Sequence, residues 1–271
     1  MARLHYRTIF LSDIHLGFKD CRADYLLEFL NSVDCDTLYL VGDIVDLWSL
    51  KRRFYWPTAH YDVIRAIFKK SRHGTRVVYI PGNHDAPLRD YVSENFGAIE
   101  VMEEAIHETA DGRKLWLFHG DILDPHIRVS RLVKYAGDSL YDFLLKINRL
   151  TNFCRRLAGM EYWSLATYIK SRAKRVNTVI DTFATAAIEE AKSRNVDGVV
   201  CGHIHKPEMR MIDGLLYCND GDWIENCSAL TETPDGQLQL LRWTDKPSVV
   251  VDIRTGANSP EPQFMPLKEA S

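Results

Sequence analysis

The sequence predicts an α/β protein carrying a helical insertion, and three observations predict it. Short apolar runs alternate with helix-spaced segments through the first half of the chain. Residues 127–194 contain neither a convincing strand nor a proline. Each strand-like run ends in a small cluster of Asp, Asn, His and Gly. With 271 residues, 46% hydrophobic and 26% charged, the chain has the composition of a globular protein large enough to bury a sizeable core.

Thr8-Ile9-Phe10-Leu11, Thr37-Leu38-Tyr39-Leu40-Val41 and Arg76-Val77-Val78-Tyr79-Ile80 are continuous apolar runs, the pattern of strands buried on both faces. Between them lie helix-spaced apolar sets, Tyr25, Leu26, Phe29 and Leu30, then Val63, Ile64, Ile67 and Phe68, predicting helices over 22–33 and 58–72. Strand, helix and strand in alternation predict parallel strands with crossover helices. A further strand is expected over Lys114–His119, then Gly198–Cys201 and Leu238–Trp243, with a turn at Pro234-Asp235-Gly236. Several helices are expected within 127–194, the last around 176–193. The expected organisation is a core of 1–126 and 195–254, an insertion over 127–194, and a loose, polar tail over 255–271.

The polar clusters are Asp13-Ile14-His15, Gly42-Asp43, Gly82-Asn83-His84-Asp85, His119-Gly120-Asp121 and Gly202-His203-Ile204-His205. Ligand sites of α/β sheets assemble in the loops at the carboxyl ends of parallel strands. A single histidine there would most often be structural; five segments repeating one format argue for a shared site. Carboxylate, imidazole and amide oxygen together suit Mn²⁺, Fe²⁺, Zn²⁺ or Co²⁺, whereas Mg²⁺ alone would favour oxygen ligands. Seven candidate ligands exceed the needs of one ion, so two ions sharing a carboxylate is the expected arrangement. Such pairs, about 3.5–4 Å apart, orient a nucleophile and stabilise charge on phosphoryl oxygens, the chemistry of phosphoester hydrolysis.

The series DxH, GD, GNHD, HGD and GHxH resembles the calcineurin-like metallophosphoesterase superfamily in order and spacing, over residues 13–205. The resemblance implies a four-layered α/β/β/α sandwich with a dinuclear centre. It implies that Asp13, His15 and His205 hold one ion, that Asn83, His119 and His203 hold the other, and that Asp43 bridges them. It further implies that His84 assists phosphoryl transfer, with Asp85 orienting its ring. Gly42-Asp43-Ile44-Val45-Asp46-Leu47-Trp48 and Gly221-Asp222-Trp223 look like the GD-x-x-[DE]-x-W and GDW segments of bacterial UDP-2,3-diacylglucosamine hydrolases. These act in lipid A synthesis with Mn²⁺ and carry a helical lid at this place in the chain. That narrower resemblance implies hydrolysis of a pyrophosphate bond in a UDP-glycolipid at the cytoplasmic face of the inner membrane. At the third motif this chain has His84 where the narrower family has arginine; GNHD is the broader superfamily's form. Other substrates of the same centre are a nucleotide, a different phospholipid or a phosphoprotein. An inactive scaffold should show broken ligand positions, and all seven are filled here.

The formal charge of −3 is divided unevenly. Residues 127–194 hold 13 Lys+Arg against 6 Asp+Glu, a surplus of 7 positive charges, and the rest of the chain carries −10. Lys170, Arg172, Lys174 and Arg175 form the densest group, expected either to be a solvated helical face or to bind an anionic phosphoester substrate. A uniformly basic, nucleic-acid-coating surface is excluded. No apolar stretch approaches the roughly 18 residues of a membrane span, and no signal-peptide pattern is present. Six cysteines without CxxC pairing suggest reduced thiols, so a cytoplasmic protein is expected, with surface attachment to the inner membrane left open. Trp48 and Trp223 are expected to be packing residues near the metals rather than direct substrate contacts, and His5, His60, His73 and His107 carry no motif.

Overall fold

The computed structural model describes residues 4–126, 147–149, 151–155, 157–164, 174–250, 254–255 and 265–266. The first half of the chain runs β1 (Leu4–Leu11), α1 (Ala23–Ser32), β2 (Val33–Val41), α2 (Leu47–Arg52), α3 (Thr58–Arg72) and β3 (Arg76–Ile80). Four short strands follow, β4 (Asn95–Phe96), β5 (Ile99–Val101), β6 (Ala105–Glu108) and β7 (Lys114–Leu117). Then come α4 (Lys174–Ser193), β8 (Gly198–Cys201), β9 (Glu208–Ile212), β10 (Leu215–Asn219), β11 (Ser228–Glu232) and β12 (Leu238–Arg242). The last strands are β13 (Ser248–Val250), β14 (Arg254–Thr255) and β15 (Met265–Pro266).

The strands form two sheets, ordered β15-β13-β12-β11-β1-β2-β3-β5-β4 and β14-β9-β10-β8-β7-β6. β1, β2, β3 and β5 are mutually parallel, as are β7, β8 and β10. Side chains alternate between two buried faces along the carboxyl-terminal halves of β1 and β2, which explains why Ile9–Leu11 and Leu38–Val41 are continuously apolar. Ile9, Leu11, Leu38 and Leu40 join Leu26, Phe29, Val63 and Ile67 of α1 and α3 in one core. Phe10, Tyr39 and Val41 point the other way, into a second core with Leu115, Leu117, Val200 and Leu216 of the second sheet. Two cores on opposite faces of one sheet make an α/β sandwich. α4 is the crossover between the parallel strands β7 and β8, and its buried Ala187, Ile188 and Ala191 recur at helical spacing.

The strands β9 to β11 are not legible in the sequence. Each is short, and β11 finds its partner β1 more than 200 residues back, pairing Thr8 with Glu232. At the start of the stretch expected to be a loose tail β14 pairs with β9, and within it β15 pairs with β13, over two residues each. The chain divides into two compact units, Met1–Asp121 with Ala187–Ser271, and Ile122–Ala186. Among the described residues no helix is long and apolar enough to cross a membrane. All six cysteines are free, and four of them are buried.

Candidate metal centre

Five loops at the carboxyl ends of β1, β2, β3, β7 and β8 bring the polar clusters to one place within the first unit. Backbone hydrogen bonds lace them together. Asp13 N–H donates to Gly42 O (3.0 Å), His15 N–H to Asp43 O (2.9 Å), and Gly202 N–H to His119 O (3.0 Å). The approach is close enough that a Cβ on Gly42 would overlap the His119 ring, and one on Gly82 the Asp43 carboxylate. Strain is concentrated here too. Asp13, His15, Asp43, His203 and His205 all have φ between 49° and 70°, five of the nine non-glycine residues with positive φ among those described. Such conformations persist where the surrounding bonds over-determine them, as at ligand clamps.

The side chains converge. Asp13 Oδ1 lies 3.1 Å from His205 Nε2 and 3.7 Å from His15 Nε2. Asp43 Oδ2 lies 3.3 Å from His119 Nε2 and 3.8 Å from His15 Nε2. Asn83 Oδ1 is 3.3 Å from His119 Nε2, and the His203 ring centroid is 5.2 Å from that of His119. Among the described residues three groups could hold a cation: Asp13, His15 and His205; Asp13, Asp43 and His119; and His15, Asp46 and His84. Asp13 Oδ1 and His15 Nε2 are buried and make no hydrogen bond. Buried ligand atoms about 3–4 Å apart, of which Asp13 Oδ1 and His15 Nε2 make no hydrogen bond, suit a shared cation. The residues present therefore fit divalent ions.

Electrostatics point the same way. Burial opposes ionisation of Asp13, but the neighbouring His205 and His15 outweigh it and hold the acid well below the usual carboxylate range. Burial likewise disfavours an imidazolium at His15, yet the Asp13 and Asp46 carboxylates, joined by Asp43, push it up to about 10. His119 is raised well above its ordinary value for the same reason, against burial, chiefly by Asp43. Without a cation, protons neutralise this site. For His15, folded affinity for the proton exceeds unfolded affinity, so its stabilisation of the ion-free protein is complete below about pH 6.5 and is lost as pH rises through about 10. Cations must displace that proton. Calorimetric titration with Mn²⁺ in buffers of different ionisation enthalpy is therefore expected to show at least about one proton released per chain at pH 7, with affinity rising toward pH 10. Binding without proton release would contradict this account.

His84 stands beside the convergence, its Nε2 4.0 Å from Asp43 Oδ2. The expectation that Asp85 orients its ring is corrected: the carboxylate meeting His84 Nδ1 is that of Asp46, at 3.0 Å. Asp85 is fully buried and accepts instead from Gly82 N–H (2.6 Å), Ile44 N–H (2.8 Å) and the Tyr79 hydroxyl (2.5 Å), tying two loops together. Adjacent residues in a tight turn project in different directions, and Asp85 projects inward. Asp46 also lies 3.3 Å from His15 Nδ1, so one carboxylate serves both imidazoles. Burial disfavours its charge, but His15 and His84 hold its carboxyl well below the usual range. The sequence reading gave Asp46 no role, although its position in Gly42-Asp43-Ile44-Val45-Asp46-Leu47-Trp48 was a signal for one.

Trp48 packs beside the site as expected, but at its surface. It is 49% exposed, and its ring centroid lies 4.2 Å from that of His84, so it flanks the site rather than packing in a core. Trp223 is fully buried against Phe29, as a packing residue should be. The GDW segment steadies ligands from behind: Trp223 N–H donates to Asp13 O (3.1 Å), and Asp222 holds Asn226, whose Nδ2 donates to His205 O (2.9 Å). His60 accepts from Gly17 N–H (2.9 Å) just beyond the first motif, and burial pulls its imidazole down to about 4, keeping it a neutral acceptor. Lys170 and Arg172 lie outside the described residues, as do the side chains of Lys174 and Arg175 at the start of α4.

A family model described as Calcineurin-like phosphoesterase matches residues 6–207, the span of all these loops. The chain belongs to that family. This calcineurin-like phosphoesterase is 24% identical over 244 residues to the UDP-2,3-diacylglucosamine hydrolase of Pectobacterium carotovorum, covering 86% of this chain and 98% of that one. It is 25% identical over 251 residues to the hydrolase of the same name from Shewanella loihica, covering 86% and 96%. Among solved structures it is similar to a Vps29 variant from Entamoeba histolytica, at 14% identity and a TM-score of 0.47, covering 96% of this chain and 99% of that chain. The phosphoesterase is a metal-dependent hydrolase.

Proposed function

We propose that this phosphoesterase hydrolyses the pyrophosphate bond of a UDP-2,3-diacylglucosamine-like glycolipid, with two divalent transition-metal ions, Mn²⁺ favoured. The observation that carries this is the end-to-end likeness to hydrolases of that name, 98% of the Pectobacterium chain being covered. Asp13, His15 and His205 would hold one ion, Asn83, His119 and His203 the other, and Asp43 both. When bound, such ions polarise phosphoryl oxygens and make water acidic enough to attack at neutral pH.

The chain's own residues supply orientation and proton handling. Asp46 accepts the Nδ1–H of His84, which turns Nε2 toward Asp43 and the reacting phosphate. From Nε2, His84 delivers a proton to the oxygen that leaves when the P–O bond breaks. Trp48 covers one face of the His84 ring, limiting its rotation and its access to water. Lys170, Arg172, Lys174 and Arg175 would bind a phosphate or the UDP group of the substrate. Because such a glycolipid resides in a bilayer, the reading carries with it contact between a cytoplasmic protein and the inner-membrane surface.

The test is an assay with Mn²⁺ of UDP-2,3-diacylglucosamine beside a simple phosphodiester. UMP and the acylated sugar 1-phosphate are expected in equal amounts, and R172A combined with R175A should raise KM about tenfold while leaving metal content unchanged. Cleavage of the diester without any UMP from the glycolipid would refute the lipid substrate and retain the phosphoesterase.

A further inference from the structure

Behind Asp13, away from the ligand atoms, two carboxylates share one hydroxyl. Ser12 Oγ lies 2.6 Å from Asp13 Oδ2 and 2.6 Å from Asp220 Oδ1, with Gly221 O at 3.4 Å. All three side chains are buried, Asp13 and Asp220 completely. Packing leaves no slack, since a Cβ on Gly202 would overlap both Ser12 Oγ and Asp13 Oδ2. A hydroxyl has one hydrogen to donate. Two contacts of 2.6 Å to carboxylate oxygens therefore require a second proton, carried by one of the two acids.

The surroundings decide which. Asp13 Oδ2 also accepts from His203 N–H (2.8 Å), and Asp13 Oδ1 has His205 Nε2 at 3.1 Å. Asp13 is thus surrounded by groups that favour its anion. Asp220 differs in one respect: its Oδ2 is buried with no hydrogen-bond partner. Ionised, it would leave a bare charged oxygen in a dry interior; protonated, it leaves only a carbonyl.

We propose that Asp220 is a positioning residue for Asp13: as a neutral carboxylic acid it donates to Ser12 Oγ, which donates to Asp13 Oδ2, fixing Asp13 Oδ1 toward the ion site. The relay is Asp220 Oδ1–H to Ser12 Oγ–H to the Asp13 carboxylate, with no net charge beyond that of Asp13. Asp220 belongs to none of the five motifs; it reaches the site from the end of β10, 207 residues along the chain from Asp13. The proposal rests on the reading of Asp13 as an ion ligand, and Mn²⁺ binding by the unmodified protein tests that reading separately.

Two measurements on the full chain decide it. Infrared spectra of the ion-free protein at pH 8 should contain a protonated-carboxyl C=O stretch that disappears in D220N and shifts to higher frequency in S12A. Calorimetry with Mn²⁺ should find D220N within about threefold of the parent, because a carboxamide also donates to Ser12, and D220A or S12A roughly 10–100-fold weaker, the usual effect of losing a residue that holds a ligand. If no such stretch is present, or if it is unchanged in both D220N and S12A, the acid is ionised and the proposal fails. It fails equally if D220N binds as weakly as D220A, or if S12A binds like the parent. Should a variant at 220 not fold, S12A alone carries both readouts.

Discussion

Asp43→Ala is expected to lower turnover by about 10³-fold, or about 4 kcal/mol of transition-state stabilisation, and to reduce bound metal below two ions per chain. The reason is geometric. Asp43 Oδ2 is the oxygen that faces both halves of the site, 3.3 Å from His119 Nε2 and 3.8 Å from His15 Nε2, while Oδ1 accepts from His84 N–H at 2.8 Å. Removing it deprives both ion positions of a ligand and frees the loop that carries His84. The ion-free protein should lose less. Asp43 and Asp13 repel one another in the empty site, so relief of that repulsion partly offsets the loss of pairing with His119 and His15. The sharpest readout is therefore the rise in Tm on adding Mn²⁺, which ligand linkage gives the parent and which D43A should lack. Metal analysis, melting curves and phosphodiester turnover together check it. Parent-like turnover with two ions bound would remove Asp43 from the site.

The sandwich core was legible where the physics is local. The continuous apolar runs at Ile9–Leu11 and Leu38–Val41 announce strands buried on both faces, and they occupy the middle of the first sheet. The clusters after them announce a site because polar, glycine-bearing turns at strand ends have little structural reason to repeat. The structure brings all of them together. What remained hidden depends on contacts between distant segments. No pattern within Ser228–Glu232 reveals that it pairs with β1. Nothing near Asp220 reveals that its carboxyl meets Ser12.

The exchange of Asp85 for Asp46 as the partner of His84 shows a different failure. The family resemblance implied Asp85, but in that turn its side chain is spent on two loop backbones and Tyr79, which hold it buried. Asp46 is 38 residues away in sequence and comes within 3.0 Å because backbone bonds pin one loop against another. Asp46 N–H donates to Leu16 O (2.8 Å), and Leu47 N–H to His84 O (3.2 Å). Spacing tells which residue types share a motif; it does not tell which way each one points.

That geometry sets the second large effect. His84→Ala is expected to cost roughly 10²–10⁴-fold in kcat, the range for loss of a positioned proton donor, while metal content stays at the parent value. The separation follows from where His84 sits: Nδ1 is taken by Asp46, and Nε2 stops 4.0 Å from Asp43 Oδ2, outside the two groups, Asp13-His15-His205 and Asp13-Asp43-His119, that the ions would share. If His84 delivers a proton to the departing oxygen, the loss should shrink as the leaving group becomes more acidic. A series of aryl phosphodiesters with phenols of decreasing pKa measures this directly, H84A approaching the parent at the acidic end. Asp46→Asn should follow the same trend less steeply, since an amide still meets Nδ1 without the charge. It should also weaken metal binding, because Asp46 holds His15 as well. A constant deficit across the series would mean that His84 binds the phosphate rather than moving a proton, and loss of metal in H84A would make it a ligand.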